Sequence, residues 1–141
     1  MKTATHLHFA GNARQAFEYY ARTFNGRLAM VLTFGESPMA AQTPPGMRDQ
    51  IMHVRLEYGD QVLLGCDAPP DHYRPAGGFS VTVLVEAPEE AARIFRALAD
   101  GGQVGMAFGP TFWSQGFGMC TDRFGVPWMV NCERPPAAAA A

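Results

Sequence analysis

The chain has 141 residues, 48% of them hydrophobic and 17% charged, and a formal net charge of −2. That balance suits one folded domain or two small fused modules, and it excludes a disordered chain. No basic run offers a surface for nucleic acid, and no apolar run approaches the ~20 residues that a membrane helix needs.

Residues 1–6, Met-Lys-Thr-Ala-Thr-His, hold no apolar stretch of the kind a secretory signal requires. The cysteines number three (Cys66, Cys120 and Cys132), with no CxxC pair. An odd count in apolar runs predicts three buried thiols without a disulfide framework, in a reducing, cytoplasmic compartment.

Residues 3–10 alternate as a short strand. Asn12 is a predicted helix N-cap, with Gln15 completing a near capping box. Ala13, Ala16, Phe17, Tyr20 and Phe24 then fall on one helical face. Asn25-Gly26 stops that helix, with the glycine expected in the left-handed conformation. Residues 27–34 form a second strand.

Residues 35–50 are a long loop carrying Pro38, Pro44 and Pro45, with Met39 and Met47 expected to be exposed. Loops of that length act as lids or binding loops, or stay disordered. Residues 51–57 and 61–66 make a hairpin across Tyr58-Gly59-Asp60.

Residues 68–77 are a Pro-rich connector, after which the pattern restarts. A strand over 78–86 leads to Pro88 at a helix start, with Glu89-Glu90 in the first turn. Ala91, Ile94, Phe95 and Leu98 give the apolar face, and Gly101-Gly102 end the helix. Strands over 103–112, 116–121 and 126–133 follow, and 134–141 is read as a disordered tail.

The fold class expected is therefore α+β, with two tandem βαβββ modules at 1–67 and 78–133, offset by roughly 75 residues.

Particular segments carry a resemblance. They are Phe9-Ala10-Gly11-Asn12-Ala13 with Tyr19-Tyr20, Phe34-Gly35-Glu36, Met52-His53, Cys66-Asp67-Ala68, and the stretch from Thr111 to Trp128 with its Thr-Asp-Arg-Phe-Gly turn. On these the chain resembles the vicinal oxygen chelate (glyoxalase/bleomycin-resistance) superfamily. Within it the PhnB-like branch is the match, often labelled with a 3-demethylubiquinone-9 3-methyltransferase domain name. The chain has no Gly-rich strand-to-helix loop followed by an acidic residue, the usual S-adenosylmethionine support.

The resemblance implies curved sheets around a cavity, homodimerisation, and in metal-binding members a divalent ion. The ion's His and Glu ligands come from the first and last strands of the two modules. Here the second module's ligand positions fall on Ser80 or Thr82 and on Met129, none of them usual ligands. Glu133 lies four residues beyond Met129, roughly 13 Å along a strand.

In the first module two readings stand. Apolar alternation puts Leu7 and Phe9 under the helix and turns His6 and His8 to the cavity. An ungapped comparison with metal-binding relatives puts the ligand position at Thr5.

The expectation is thus a cavity that binds a small, partly apolar ligand with no metal or other cofactor. Its candidate lining is His8, Phe34, His53, Ser80, Trp113, Phe117 and Met129. A metal-dependent lyase, isomerase or dioxygenase using His6 or His8 with His53 is the alternative. Asp67 and Asp122 are read as turn residues that accept from backbone N–H groups, and Trp128 as core.

Overall fold

A computed structural model describes residues 1–133; the expected tail at 134–141 lies outside the described residues. The chain divides into two compact units, with the boundary between Arg74 and Pro75.

In the first unit, β1 (Thr5–Phe9), α1 (Ala13–Thr23), β2 (Arg27–Thr33), β3 (Ile51–Tyr58) and β4 (Gln61–Asp67) follow in chain order. Their sheet order is β1-β4-β3-β2, with β1 parallel to β4 and the other pairs antiparallel. In the second, β5 (Val81–Leu84), α2 (Pro88–Ala99), β6 (Gln103–Gly109), β7 (Ser114–Thr121) and β8 (Pro127–Glu133) repeat the pattern as β5-β8-β7-β6. The duplication read from the sequence is real, and the class is α+β.

Each helix covers one face of its own sheet. Under α1, Leu7, Phe9, Leu56 and Leu63 meet Ala16, Phe17 and Tyr20, all at most 3% exposed. Burying each large apolar side chain contributes roughly 2 kcal/mol. Gly65 lets the helix sit close, because a Cβ there would overlap the Phe17 ring. In the second unit Trp128, Val130 and Cys132 face α2's buried Ala91, Ile94, Phe95 and Leu98.

Leu7 and Phe9 are buried while His6 and His8 are exposed, so the alternation reading of β1 holds. Thr5 shares the helix-side parity of Leu7, which does not suit a ligand position on the open face.

Three local expectations are corrected. Asn12 makes no side-chain cap hydrogen bond. The start of α1 is instead capped from across the fold: the Asp67 carboxylate accepts from the Gly11 and Ala13 N–H groups at 2.9 and 3.0 Å, and from Ile51 N–H at 2.8 Å. A charged acceptor at a helix N-terminus outcompetes a neutral amide.

At the other end of α1, Asn25, not Gly26, takes the left-handed conformation, with φ 52°. Gly26 is required for a different reason: a Cβ there would lie 2.7 Å from the Glu57 carbonyl oxygen.

The strand expected over 78–86 is only Val81–Leu84. Extending the Val81↔Trp128 register sets Ser80 beside Pro127, which has no N–H to donate. Ser80 is therefore half-buried outside the strand, and Phe79 is half exposed instead of packed under α2.

Residues 35–50 form a built loop. Phe34 N–H donates to Gln50 O and Gly35 N–H to Arg48 O, closing its neck, and two 3-10 turns span Ala40–Gln42 and Pro45–Met47. Met39 is exposed as expected, and Met47 is half-buried.

Asp122 acts as the sequence suggests. Oδ1 accepts from Phe124 and Val126 N–H, both at 2.9 Å, and Oδ2 from the Trp128 indole at 2.8 Å. Among the described residues no helix is long and apolar enough to cross a membrane.

Asp67→Ala leaves three backbone donors in want of an acceptor. It should cost about 3 kcal/mol or more, given 1–3 kcal/mol for each buried unsatisfied group. A urea unfolding midpoint unchanged from that of the parent chain would refute this role.

Candidate functional site

With one face of the first sheet covered by α1, the other is open, and its side chains follow from register. His6 pairs with Leu64, and Leu64 with Arg55. One step on, His8 pairs with Cys66, and continuing the Val54↔Gly65 register sets His53 opposite Cys66. The open face thus carries two adjacent rows, His6–Leu64–Arg55 and His8–Cys66–His53.

The side chains converge. His6 Nε2 lies 3.4 Å from Cys66 Sγ, and His8 Nδ1 lies 3.6 Å from the same sulfur. The ligand atoms of His6, His8 and Cys66 are all within 4.8 Å of one another. The His6 and His8 rings are 4.9 Å apart, and the His6 and His53 rings 6.2 Å.

Cys66 is therefore not the core thiol that the sequence suggested. It is half-buried on the imidazole face, whereas Cys120 and Cys132 are buried as expected.

The electrostatics follow from crowding. Partial burial, then the neighbouring His8 and His53, hold His6 below its ordinary value of 6.5. Burial, with the Asp67 charge behind it, pushes the Cys66 thiol up. Both shifts favour the uncharged forms, the His6 imidazole and the Cys66 thiol.

Two of the three donor pairs have the spacing of a tetrahedral ion, and the two imidazoles, within 4.8 Å of each other, would close on it by side-chain rotation. Zinc bonds of about 2.0–2.3 Å put neighbouring ligand atoms about 3.3–3.8 Å apart, and both nitrogen–sulfur separations fall in that range. Bound zinc would deprotonate the thiol, because a coordinating cysteine is a thiolate.

Of the other candidates, Phe34 lies just beyond β2 in the first unit and is half-buried. In the second unit Trp113 stands between Phe112 and Phe117, with ring centroids at 4.9 and 5.4 Å. Phe112 is 92% exposed. Met129 pairs with Thr82 on one side and Met119 on the other, on the sheet face opposite Trp128. Glu133 is exposed at the end of β8.

Cys66 was missed by sequence reasoning. The signal that could have found it was its place next to Asp67, whose inward role turns its neighbour outward.

In metal-free protein the imidazole of His6 should titrate below 6.5, and His8→Gln should raise that midpoint. Because the folded state then binds fewer protons than the unfolded, stability should be full above pH 6.5 and fall as pH drops through that value. Histidine NMR titration beside unfolding curves checks both, and a His6 midpoint at or above 6.5 would contradict them.

Residues 1–131 match the family described as 3-demethylubiquinone-9 3-methyltransferase. The chain is 37% identical over 139 residues to protein YjdN of Escherichia coli K12, covering 93% of this chain and 95% of that one. It is 45% identical to the crystal structure of protein PA1353 from Pseudomonas aeruginosa, covering 96% and 99% of the two chains with a TM-score of 0.88. A PhnB protein from Bacillus cereus follows at 25% identity and TM-score 0.79, over 93% and 98%. The fold extends to FosX of Listeria monocytogenes, a fosfomycin resistance protein, at 7% identity and TM-score 0.65. With a full-length family match, close relatives and the paired βαβββ units, this chain belongs to the PhnB-like family of the vicinal oxygen chelate superfamily.

Proposed function

We propose that the protein binds a small, partly apolar molecule on the open face of its first sheet, at a divalent metal held by His6, His8 and Cys66. The observation that carries this reading is the convergence of those three donor atoms within 4.8 Å. Two imidazoles and a thiolate leave a fourth tetrahedral position for water or a ligand, the arrangement of catalytic zinc sites.

Such an ion supplies Lewis-acid polarisation of a bound oxygen. His53, beside the cluster, offers a hydrogen-bond donor or acceptor to whatever binds there. Leu64 and Leu32 flank these residues and give the face its apolar part. A reducing, cytoplasmic compartment suits the site, since it keeps the Cys66 thiol free.

A methyl-transfer activity in the sense of the family description has less support. The loops from β1 to α1 and from β5 to α2, at 10–12 and 85–87, are three residues each, and neither is glycine-rich.

The test is metal content and cobalt spectroscopy on protein purified without chelator. One equivalent of ion should bind, with cobalt giving a thiolate charge-transfer absorption in the near ultraviolet. Cys66→Ser should abolish that band, and His8→Ala should weaken binding by more than an order of magnitude. Unchanged metal affinity in both variants would end this reading.

A second reading, ligand binding without metal, is favoured by the second unit. The middle of its open face presents Thr82, Met119, Met129 and Asn131, with Glu133 the carboxylate at the end of β8. Under that reading chelator-treated protein retains its ligand affinity.

Homodimerisation is part of the same proposal. Leu84, Val104, Met106 and Phe112 are between 41% and 92% exposed, large apolar side chains that a second copy would cover. Sedimentation at micromolar concentration should give twice the chain mass, and a monomeric mass would refute the dimer.

A further inference from the structure

Beside the histidine–cysteine cluster, on the same sheet face, lies a groove of about 410 Å³ lined by Lys2, Ala4, Arg55, Asp60, Val62 and Leu64 among others. We infer that this groove is the anion subsite of the bound molecule, and that the molecule is a monocarboxylate with a small apolar body. The inference rests on the reading of the open face as a ligand site, but not on the metal.

The floor is apolar. Ala4, Val62 and Leu64 line it, and Leu64 pairs directly with His6. A ligand lying across Leu64 therefore has Arg55 on one side and the imidazoles on the other.

Arg55 is preorganised. Its Nε donates to Glu57 Oε2 at 2.8 Å, while Arg27 Nη2 holds the other carboxylate oxygen at 2.7 Å. Glu57 is thus shared by two guanidiniums, which hold its carboxyl below the ordinary range. This brace fixes the plane of Arg55 without using its two terminal nitrogens, which have no hydrogen bond to another described residue. A planar pair of N–H donors is the geometry that a carboxylate accepts in bidentate fashion.

Lys2 adds a second positive charge to the groove wall, and Asp60, held by the Gln61 amide at 2.8 Å, adds one negative charge. With the brace included, Lys2, Arg55 and Arg27 against Asp60 and Glu57 leave a net charge of +1, which suits a monoanion better than a dianionic phosphate. Asp60 also disfavours a dianion, whose second charge it repels.

The experiment is amide NMR titration of the full chain, stripped of metal by chelator. Its probes are benzoate, its neutral isostere benzamide, and inorganic phosphate. Benzoate should shift the amides of Arg55, Gln61, Val62 and Leu64 saturably, and benzamide should bind at least about tenfold more weakly. Arg55→Gln and Lys2→Gln should each weaken benzoate and leave benzamide unchanged.

Equal binding of benzoate and benzamide would overturn the inference, as would full benzoate affinity in a folded Arg55→Gln chain. Phosphate binding as tightly as benzoate would overturn the monocarboxylate assignment. Should Arg55→Gln fail to fold, Lys2→Gln decides, since that side chain is exposed and bears no packing. Because chelator is present throughout, the result stands or falls separately from the metal reading.

Discussion

The first unit depends on one carboxylate. Asp67 closes β4, is 2% exposed, and accepts from backbone N–H groups at the start of α1 and at the start of β3. Three segments far apart in sequence are tied to a single buried charge, which is supportable only because hydrogen bonds replace its lost water. The strand's two-residue period does the rest. With Asp67 held inward, Cys66 must point outward, and the parallel register with β1 sets it beside His8. A structural interaction thereby places a chemical one.

The second unit solves the same problem locally. Asp122 ties its own turn and the Trp128 indole, all within six residues. Buried Ser114, whose Oγ bonds Gly116 and Cys132, seats the start of β7 against β8. The two units share strand order but differ in what they expose. One open face carries imidazoles, a thiol and a braced arginine; the other carries methionines, a threonine and an amide, with a carboxylate at the strand's end.

The elements legible in the sequence were those set by short-range periodicity. Leu7 and Phe9 announced the buried side of β1, Ala16, Phe17 and Tyr20 that of α1, and Pro88 with Glu89-Glu90 the start of α2. The repeat itself was readable because both halves obey the same alternation. What escaped depended on partners distant in sequence. Asn12 is a sound cap by local rules, yet a charged rival 55 residues away takes the role. Ser80 continues an alternating pattern, but its neighbour across the sheet is a proline. Cys66 reads as a small hydrophobe until the parallel pairing with β1 is known, and no local pattern encodes that pairing.

The parallel pairing of β1 with β4 also has a consequence in time. His8 and Cys66 are separated by 58 positions, and almost every element of the first unit lies between them. A contact of that span closes only after the intervening chain has collapsed and the β2–β3–β4 meander has aligned. A nascent or unfolded chain therefore carries an ordinary, isolated thiol and two unconnected imidazoles. Their joint character belongs to the finished tertiary structure alone, which makes the cluster a chemical marker of whether the first unit has completed its folding.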